Sequence, residues 1–283
     1  MSSRTLTRTR TRIRTRPGAI ALNTIIALGA LAMVFPFLWT LSTSLTHGAG
    51  LSATPSLIPS HPSIDAYREL FTQTPFARVV LNSIGLAVAI TVAQLVTSTL
   101  AAYGFSRFEF RGKKAIFATY LATMMIPFQV LLVPLFVLMR DLKLLDTYLG
   151  VLLPSVASAF GVFLLRQAMN TIPRELDEAA TLDGAGHFRI FSRIIVPNMV
   201  PAMATLAVFA FMSSWNSFLW PLIILRSDEH KTLPLALASL QGQFTTQWDV
   251  MMAGSIVSII PMLALYIFAQ KYIIQGVAGS GLK

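Results

Sequence analysis

The sequence predicts an all-α membrane protein with six transmembrane helices and both termini in the cytoplasm. Three observations carry that prediction. Only 12% of the 283 residues are charged while 54% are hydrophobic, roughly half the charged share of an ordinary soluble domain. The uncharged positions gather into six runs of at least 19 residues each, at 17–64, 79–106, 115–139, 147–165, 194–225 and 250–270. The Lys and Arg residues between these runs are denser on alternate sides, which sets an orientation.

Each run is long enough to span. A helix rises ~1.5 Å per residue, so about 20 residues cross a hydrocarbon core of ~30 Å. The runs predict spans at 19–43, 80–104, 115–139, 148–166, 199–224 and 253–274, all within one transmembrane domain, 18–283. The first run outlasts its helix and continues as a loop containing Pro55, Pro59 and Pro62. In the third span, Pro127 and Pro134 interrupt the hydrogen-bond ladder and predict kinks. Residues 1–17 stand apart. The alternating Arg8–Arg16 stretch, RTRTRIRTR, is low in complexity and dense in like charge, which predicts a disordered basic arm. Ahead of a long apolar span, such an arm reads as an inside-retention signal touching anionic lipid, rather than a nucleic-acid site or a cleaved leader.

With the N-terminus inside, 16 of the 22 Lys and Arg residues fall on the cytoplasmic side and 6 outside. The inner groups include Arg107, Arg111, Lys113 and Lys114 after the second span, and Arg166, Arg174, Arg189 and Arg193 after the fourth. This bias places the polar segment 167–197 in the cytoplasm without appeal to any motif.

The spans are notable for what they lack. No Asp, Glu, Lys, Arg or His lies in the interior of any of them, Arg166 and Lys271 falling at span ends, whereas proton- and voltage-driven proteins need intramembrane ionisable groups. There are no cysteines, so disulfides, thiolate metal sites and a cysteine nucleophile are excluded. His47, His61, His187 and His230 are scattered through loops and form no metal spacing. The nearest approach to a phosphate-binding loop, Gly112-Lys113-Lys114-Ala115, lacks the upstream glycine and the hydroxyl residue. Uphill transport would need energy from another chain.

Segment 167–197 predicts a helix–turn–helix. Pro173 suits a first helical turn. Glu175, Asp177 and Glu178 sit near the positive end of a helix running to about Leu182. Asp183-Gly184 is a turn signal, the glycine for a left-handed backbone and the carboxylate for nearby amides. A second helix from His187 places Phe188, Phe191 and Ile195 at spacings of three and four, and ends at Pro197, where the fifth span starts. Ala179, Ala180 and Ala185 at the bend let a partner backbone approach closely. On the residues alone, a docking element and an amphipathic connector on the membrane surface both remain open.

Glu178-Ala179-Ala180, three further residues, Gly184, nine more, then Ile194 and Pro197: this spacing resembles the cytoplasmic EAA loop of ATP-binding-cassette (ABC) importer permeases. Val196 stands where leucine is usual in that loop. Further motifs extend the resemblance over most of the chain. They are Asn82-Ser83, Ala101 to Phe108 followed by Phe110-Arg111-Gly112, Trp215-Asn216-Ser217-Phe218, Trp220-Pro221-Leu222, and Tyr272 to Gly276. Together they are similar to maltose-type carbohydrate permeases, specifically the six-helix member of the pair. Ser217 departs from an acidic residue common there.

The resemblance implies an ABC importer permease fold in the prokaryotic inner membrane. It implies a homologous second permease, two ATPase subunits that bind ATP and Mg, an extracytoplasmic solute-binding protein, and no cofactor or catalytic residue in this chain. Glu178, Ala179, Ala180, Asp183, Gly184, Ala185, Phe188 and Pro197 would be the ATPase-coupling residues. Carbohydrate is the implied substrate, with glycerol 3-phosphate or a glycerophosphodiester as the alternative within the class. An ion-coupled secondary transporter is the alternative from a different class, and the uncharged spans argue against it.

Polar positions inside the spans mark a possible substrate path. Thr91, Gln94 and Ser98 share a face of the second span, and Ser213 and Asn216 lie a turn apart in the fifth. Such groups are costly in lipid unless paired, so interhelical hydrogen bonding competes with a path role. Trp215 could stack on a sugar ring or simply pack. Among outer loops, 232–248 contains Gln241, Gly242, Gln243 and Phe244, at the position where the resemblance implies contact with a binding protein. The glycine-rich tail from Gly276 is directed toward the ATPases on the same implication.

Overall fold

In lipid a backbone must satisfy its own polar groups, so apolar runs of this kind fold as helices. The computed structural model describes residues 17–46, 57–59, 61–241 and 247–280. Within them the chain is almost wholly helical and forms no strand; an isolated bridge joins Thr46 to Pro62. Of the basic arm, only Pro17 falls among the described residues.

The elements are α1 (Pro17–Ser44), α2 (Asp65–Gln73), α3 (Phe76–Arg107), α4 (Lys113–Ala122), α5 (Phe128–Asp141), α6 (Tyr148–Leu152), α7 (Ala159–Met169), α8 (Glu175–Leu182), α9 (His187–Ile190), α10 (Val196–Trp215), α11 (Leu219–Ile224), α12 (Leu233–Ser239) and α13 (Trp248–Ser280). Four helices are long and apolar enough to cross a membrane: Ala21–Ser44, Phe76–Arg107, His187–Trp215 and Trp248–Gln270. Two bent pairs raise the total to six if each is one span.

The third and fourth spans are therefore not the continuous helices expected at 115–139 and 148–166. Lys113–Met125 and Phe128–Asp141 meet at 98°. Pro127 cannot donate to the ladder, and the residue before a proline is pushed out of the helical region. Ile126 accordingly adopts φ −82°, ψ 115°. Pro134, also expected to kink the span, lies within α5. Tyr148–Ser155 and Ala159–Met169 meet at 45°. There Ser158 takes an extended backbone, and its hydroxyl accepts the Gly161 N–H at 3.0 Å, capping α7.

The fifth span also differs from expectation. Helix α9 does not stop at Pro197. It runs through a π turn at Phe191–Ile195 into α10, making one helix of 29 residues from His187 to Trp215. The wider π turn lies just ahead of Pro197, where the ring would otherwise press on the preceding turn. The helix ends at Trp215, and α11 follows after a break at 216–218. The sixth helix continues to Ser280, beyond the expected 274.

Helix α3 is the centre of the bundle: α7 and α10 both pack on it, and α13 packs on α10 and α1. Lipid tails are as apolar as leucine, so close packing rather than water exclusion holds such helices together. At the crossing of α3, α7 and α10, a Cβ on Gly161 would stand 2.5 Å from Ser98 Oγ and 3.1 Å from Leu206.

Candidate functional site

The C-terminal end of α3 gathers segment 167–197 around it. Arg166 donates through Nε to the Phe105 carbonyl at 3.2 Å. Asn170 Oδ1 accepts from Ser106 Oγ at 2.8 Å, and Arg174 donates to the Ser106 carbonyl at 2.9 Å. Arg107 donates to the Ile172 carbonyl at 3.1 Å and pairs with Asp177. The end of α3 thus offers two free helix-end carbonyls, those of Phe105 and Ser106, plus the Ser106 hydroxyl and the Arg107 guanidinium, and these seat the segment.

Beyond that seat, α8 ends in a Schellman motif. Gly184 N–H donates to the Thr181 carbonyl at 3.0 Å, and Ala185 N–H to the Ala180 carbonyl at 2.9 Å. Gly184 takes φ +80°, the left-handed backbone the turn requires. Backbone bonds close this turn, and no hydrogen bond of the Asp183 carboxylate is found among the described residues.

The loop has two sides. Ala180 and Ala185 pack inward on a core of Ala102, Tyr103, Leu165, Met169, Ile190 and Ile195. Tyr103 lies 5.0 Å from the Phe191 ring, and its hydroxyl reaches the His187 carbonyl. Glu178, Ala179, Asp183 and Gly184 face outward. Phe188 was expected on one face with Phe191 and Ile195, yet it is 80% exposed. The inward stripe is instead Ile190, Phe191, Ile194 and Ile195, continued through the π turn. Leu182, which the sequence did not single out, is 89% exposed. Two bare apolar side chains thus flank Asp183-Gly184 on a polar loop. Pro197 is also exposed but belongs to the long helix rather than the turn.

A cavity of about 320 Å³ opens between α3, α5, α6 and the break after α10. It brings Gln94 and Ser213 together, and adds Gln129, Ser214, Ser217 and Trp220. Gln94 also donates to the Ser155 carbonyl at 2.8 Å, and Thr97 to the Val156 carbonyl at 2.7 Å. These bonds satisfy carbonyls freed by the bend between α6 and α7. Ser98, Trp215 and Asn216 lie outside the cavity lining. Ser98 is fully buried at the Gly161 crossing. Trp215 stacks on Phe211 at 5.8 Å and donates to the Ser258 carbonyl at 3.3 Å. Asn216 closes the last turn of α10 by donating to the Met212 carbonyl at 2.9 Å. Thr91 donates to the Ala87 carbonyl of its own helix. Gln129 was missed, although a lone amide in the run Phe128–Met139 was a usable signal.

On the opposite side, Asn82 donates to the Glu229 and Lys231 carbonyls at 2.8 and 3.1 Å, and Ser83 Oγ accepts the Leu233 N–H at 2.6 Å. This pair anchors the start of α12 and the loop before it, and a second loop leaves α12 after Ser239. Gln241 is exposed in that loop, while Gly242, Gln243 and Phe244 lie outside the described residues. Asp146 ties the neighbouring loop, accepting the Arg226 and Ser227 N–H groups at 2.8 and 3.0 Å. No cluster of His, Asp or Glu suited to a metal occurs among the described residues.

A bundle of apolar helices without inner charge, carrying a rigid, apolar-tipped loop at one end, defines a membrane permease driven from outside the chain. The chain belongs to the family described as binding-protein-dependent transport system inner membrane component, whose pattern matches residues 94–279. It is 37% identical to the arabinooligosaccharides transport system permease protein AraQ of Bacillus subtilis (strain 168), over 93% of this chain and 95% of that protein. It is 34% identical to the lactose transport system permease protein LacG of Rhizobium radiobacter, over 95% and 98%. It is 31% identical to the sn-glycerol-3-phosphate transport system permease protein UgpE of Escherichia coli O157:H7, over 91% and 95%. Its fold matches a chain of a bacterial ABC transporter involved in import of the acidic polysaccharide alginate, with TM-score 0.81, 26% identity, and 93% and 98% coverage. The chain is thus a transport subunit of an ABC importer and not itself an enzyme.

Proposed function

We propose that this permease imports a carbohydrate, most simply an oligosaccharide. The observation that carries this reading is the lining of the 320 Å³ cavity: two amides, four serines and three aromatic rings (Phe128, Phe218 and Trp220), with no charged side chain. Amides and hydroxyls match sugar hydroxyls, and aromatic faces match the C–H faces of a pyranose. A phosphate-bearing substrate would call for a cation, and the lining contains none. That argues against glycerol 3-phosphate despite the similarity to UgpE.

In this reading each bent pair is one span, giving six, and both termini are cytoplasmic, as the 16-to-6 charge bias supports. A homologous second permease closes the open side of the cavity, where Gln129, Ser213 and Phe218 are exposed. Two ATPase subunits bind ATP and Mg and grip the α8–α9 turn through Leu182 and Phe188. A solute-binding protein delivers substrate near Gln241. Reconstituted importer with its binding protein should take up arabino-oligosaccharide or lactose, and Gln94→Ala with Ser213→Ala should slow uptake about tenfold or more. Uptake of glycerol 3-phosphate alone would overturn the carbohydrate assignment. Since the natural chain has no cysteine, a single cysteine at position 183 reports topology directly, and labelling from outside intact cells would overturn the orientation.

A further inference from the structure

The same end of the bundle holds a second cavity, of about 880 Å³, between the end of α3, the start of α4 and the end of α7. Its floor is aromatic. Phe105 and Phe117 lie 5.2 Å apart, and the Arg166 guanidinium sits 4.2 Å over the Phe117 ring. Its rim is basic. Lys113, Lys114, Arg166 and Arg174 line it, against Glu109 as the acidic lining residue.

Three of the four cations, Lys113, Arg166 and Arg174, are held in place by bonds to the chain. Lys113 Nζ donates to the Phe108 carbonyl at 2.8 Å and to Glu109 at 3.0 Å. Arg174 is fixed by the Ser106 carbonyl and lies 3.6 Å from Glu109. Lys114 has no hydrogen bond or ion pair among the described residues. One carboxylate already shared by two cations leaves the groove strongly positive.

Depth along the membrane decides what can fill it. Lys113 and Lys114 are the last charges before the uncharged run 115–139. Helix α4 rises from the groove with no buried side chain, and Ile116 is 51% exposed on it. A positive pocket at headgroup level beneath a bare apolar helix suits one molecule with both properties. We propose that the groove binds the phosphate headgroup of an anionic lipid of the cytoplasmic leaflet, with its acyl chains along α4. Guanidinium and ammonium groups give charge-assisted bonds to phosphate oxygens, and basic pockets between spans on this side recruit such headgroups. The proposal rests on the cytoplasmic orientation given above.

The assembled importer, purified in mild detergent, should retain phosphatidylglycerol or cardiolipin over phosphatidylcholine in native mass spectra. Lys114→Gln with Arg174→Gln should reduce that retention about fivefold for each charge removed. Lys114→Arg with Arg174→Lys should keep it, which separates lost charge from damaged folding. Equal retention by wild type and the double variant would overturn the site. Displacement of the lipid by millimolar inorganic phosphate would assign the groove to a soluble phosphate instead, and also overturns it. Sugar-stimulated ATP hydrolysis is read on the same samples. Failed retention in an active importer then removes the lipid site and leaves the transport reading standing.

Discussion

Arg107, the last residue of α3, pairs with Asp177 in the first turn of α8, Nε to Oδ2 at 2.8 Å, with side chains only 7% and 19% exposed. The geometry is that of an ion pair rather than an aligned hydrogen bond, since Arg107 Nε has no hydrogen-bond partner. The guanidinium is instead oriented by its bond to the Ile172 carbonyl. Helix α3 carries Gln94 of the inner cavity and, between three and four turns on, this clamp on the outward-facing loop. The pair therefore ties α8 to the helix that lines the cavity.

Replacing Arg107 with leucine should cost about 3 kcal/mol, because Asp177 is left as a buried charge without its partner. The double variant Arg107→Leu with Asp177→Leu should recover most of that loss. Thermal unfolding of the purified complex measures both. If the single variant melts like wild type, the pair is not holding the loop.

Phe188→Ser and Leu182→Ser should leave the melting temperature within about a degree, since both side chains are already in solvent. They should nonetheless lower substrate-stimulated ATP hydrolysis severalfold, as expected when apolar anchors of an interface are removed. Full stimulation in the double variant would show that the ATPases dock elsewhere.

Gly184 sits at φ +80° with open space around it. Alanine there costs about 1–2 kcal/mol of local backbone energy without any clash, and asparagine less. Ranked coupling efficiency should follow Gly, Asn, Ala, with Gly184→Pro uncoupled. ATP hydrolysis with and without loaded binding protein gives the ranking; equal values across the series would detach the turn from coupling.

Gly150 fails for the opposite reason. A Cβ there would collide with the Leu144 backbone carbonyl and approach Ile224 at 3.1 Å. The Gly150 carbonyl also accepts the Trp220 indole N–H at 3.2 Å. Gly150→Ala should destabilise by about 1–3 kcal/mol, seen as a lower melting temperature, whereas Gly85→Ala, with nothing nearby, should be neutral or slightly stabilising.

The Ser227 and Arg226 amides hold the Asp146 carboxyl well below the usual carboxylate range. A depressed folded value means the contribution is fully present above the ordinary pKa of about 4 and fades as pH falls through the folded value. Asp146→Asn should therefore be less stable than wild type at pH 7, with the gap closing below about pH 4. A gap that widens in acid would contradict the assignment.

Local chemistry was legible from the sequence wherever a few neighbouring residues decide it. Gly184 at a left-handed turn, the helix ending at Leu182 and the apolar runs all followed from short-range rules. So did the interruption at Pro127, although its 98° extent did not. Residues whose roles depend on what lies across the bundle were not legible. Ser98 and Gln94 read alike on one helix face, yet Ser98 is sealed against Gly161 while Gln94 borders the cavity and bonds Ser155. Phe188 has the same spacing as its buried neighbours, and the π turn at Phe191–Ile195 leaves it outside.

The sequence alone determined the membrane class, the apolar runs that become helices and the turn within 167–197, because hydropathy and backbone preference act over one to two helical turns or one span. Only the tertiary structure decided which polar groups share a cavity, which face of the loop is bare and that Arg107 holds Asp177. Those depend on how helices far apart in sequence cross, and in lipid such crossings are set by close packing at positions like Gly161 and by buried polar pairs, neither of which has a periodic signature.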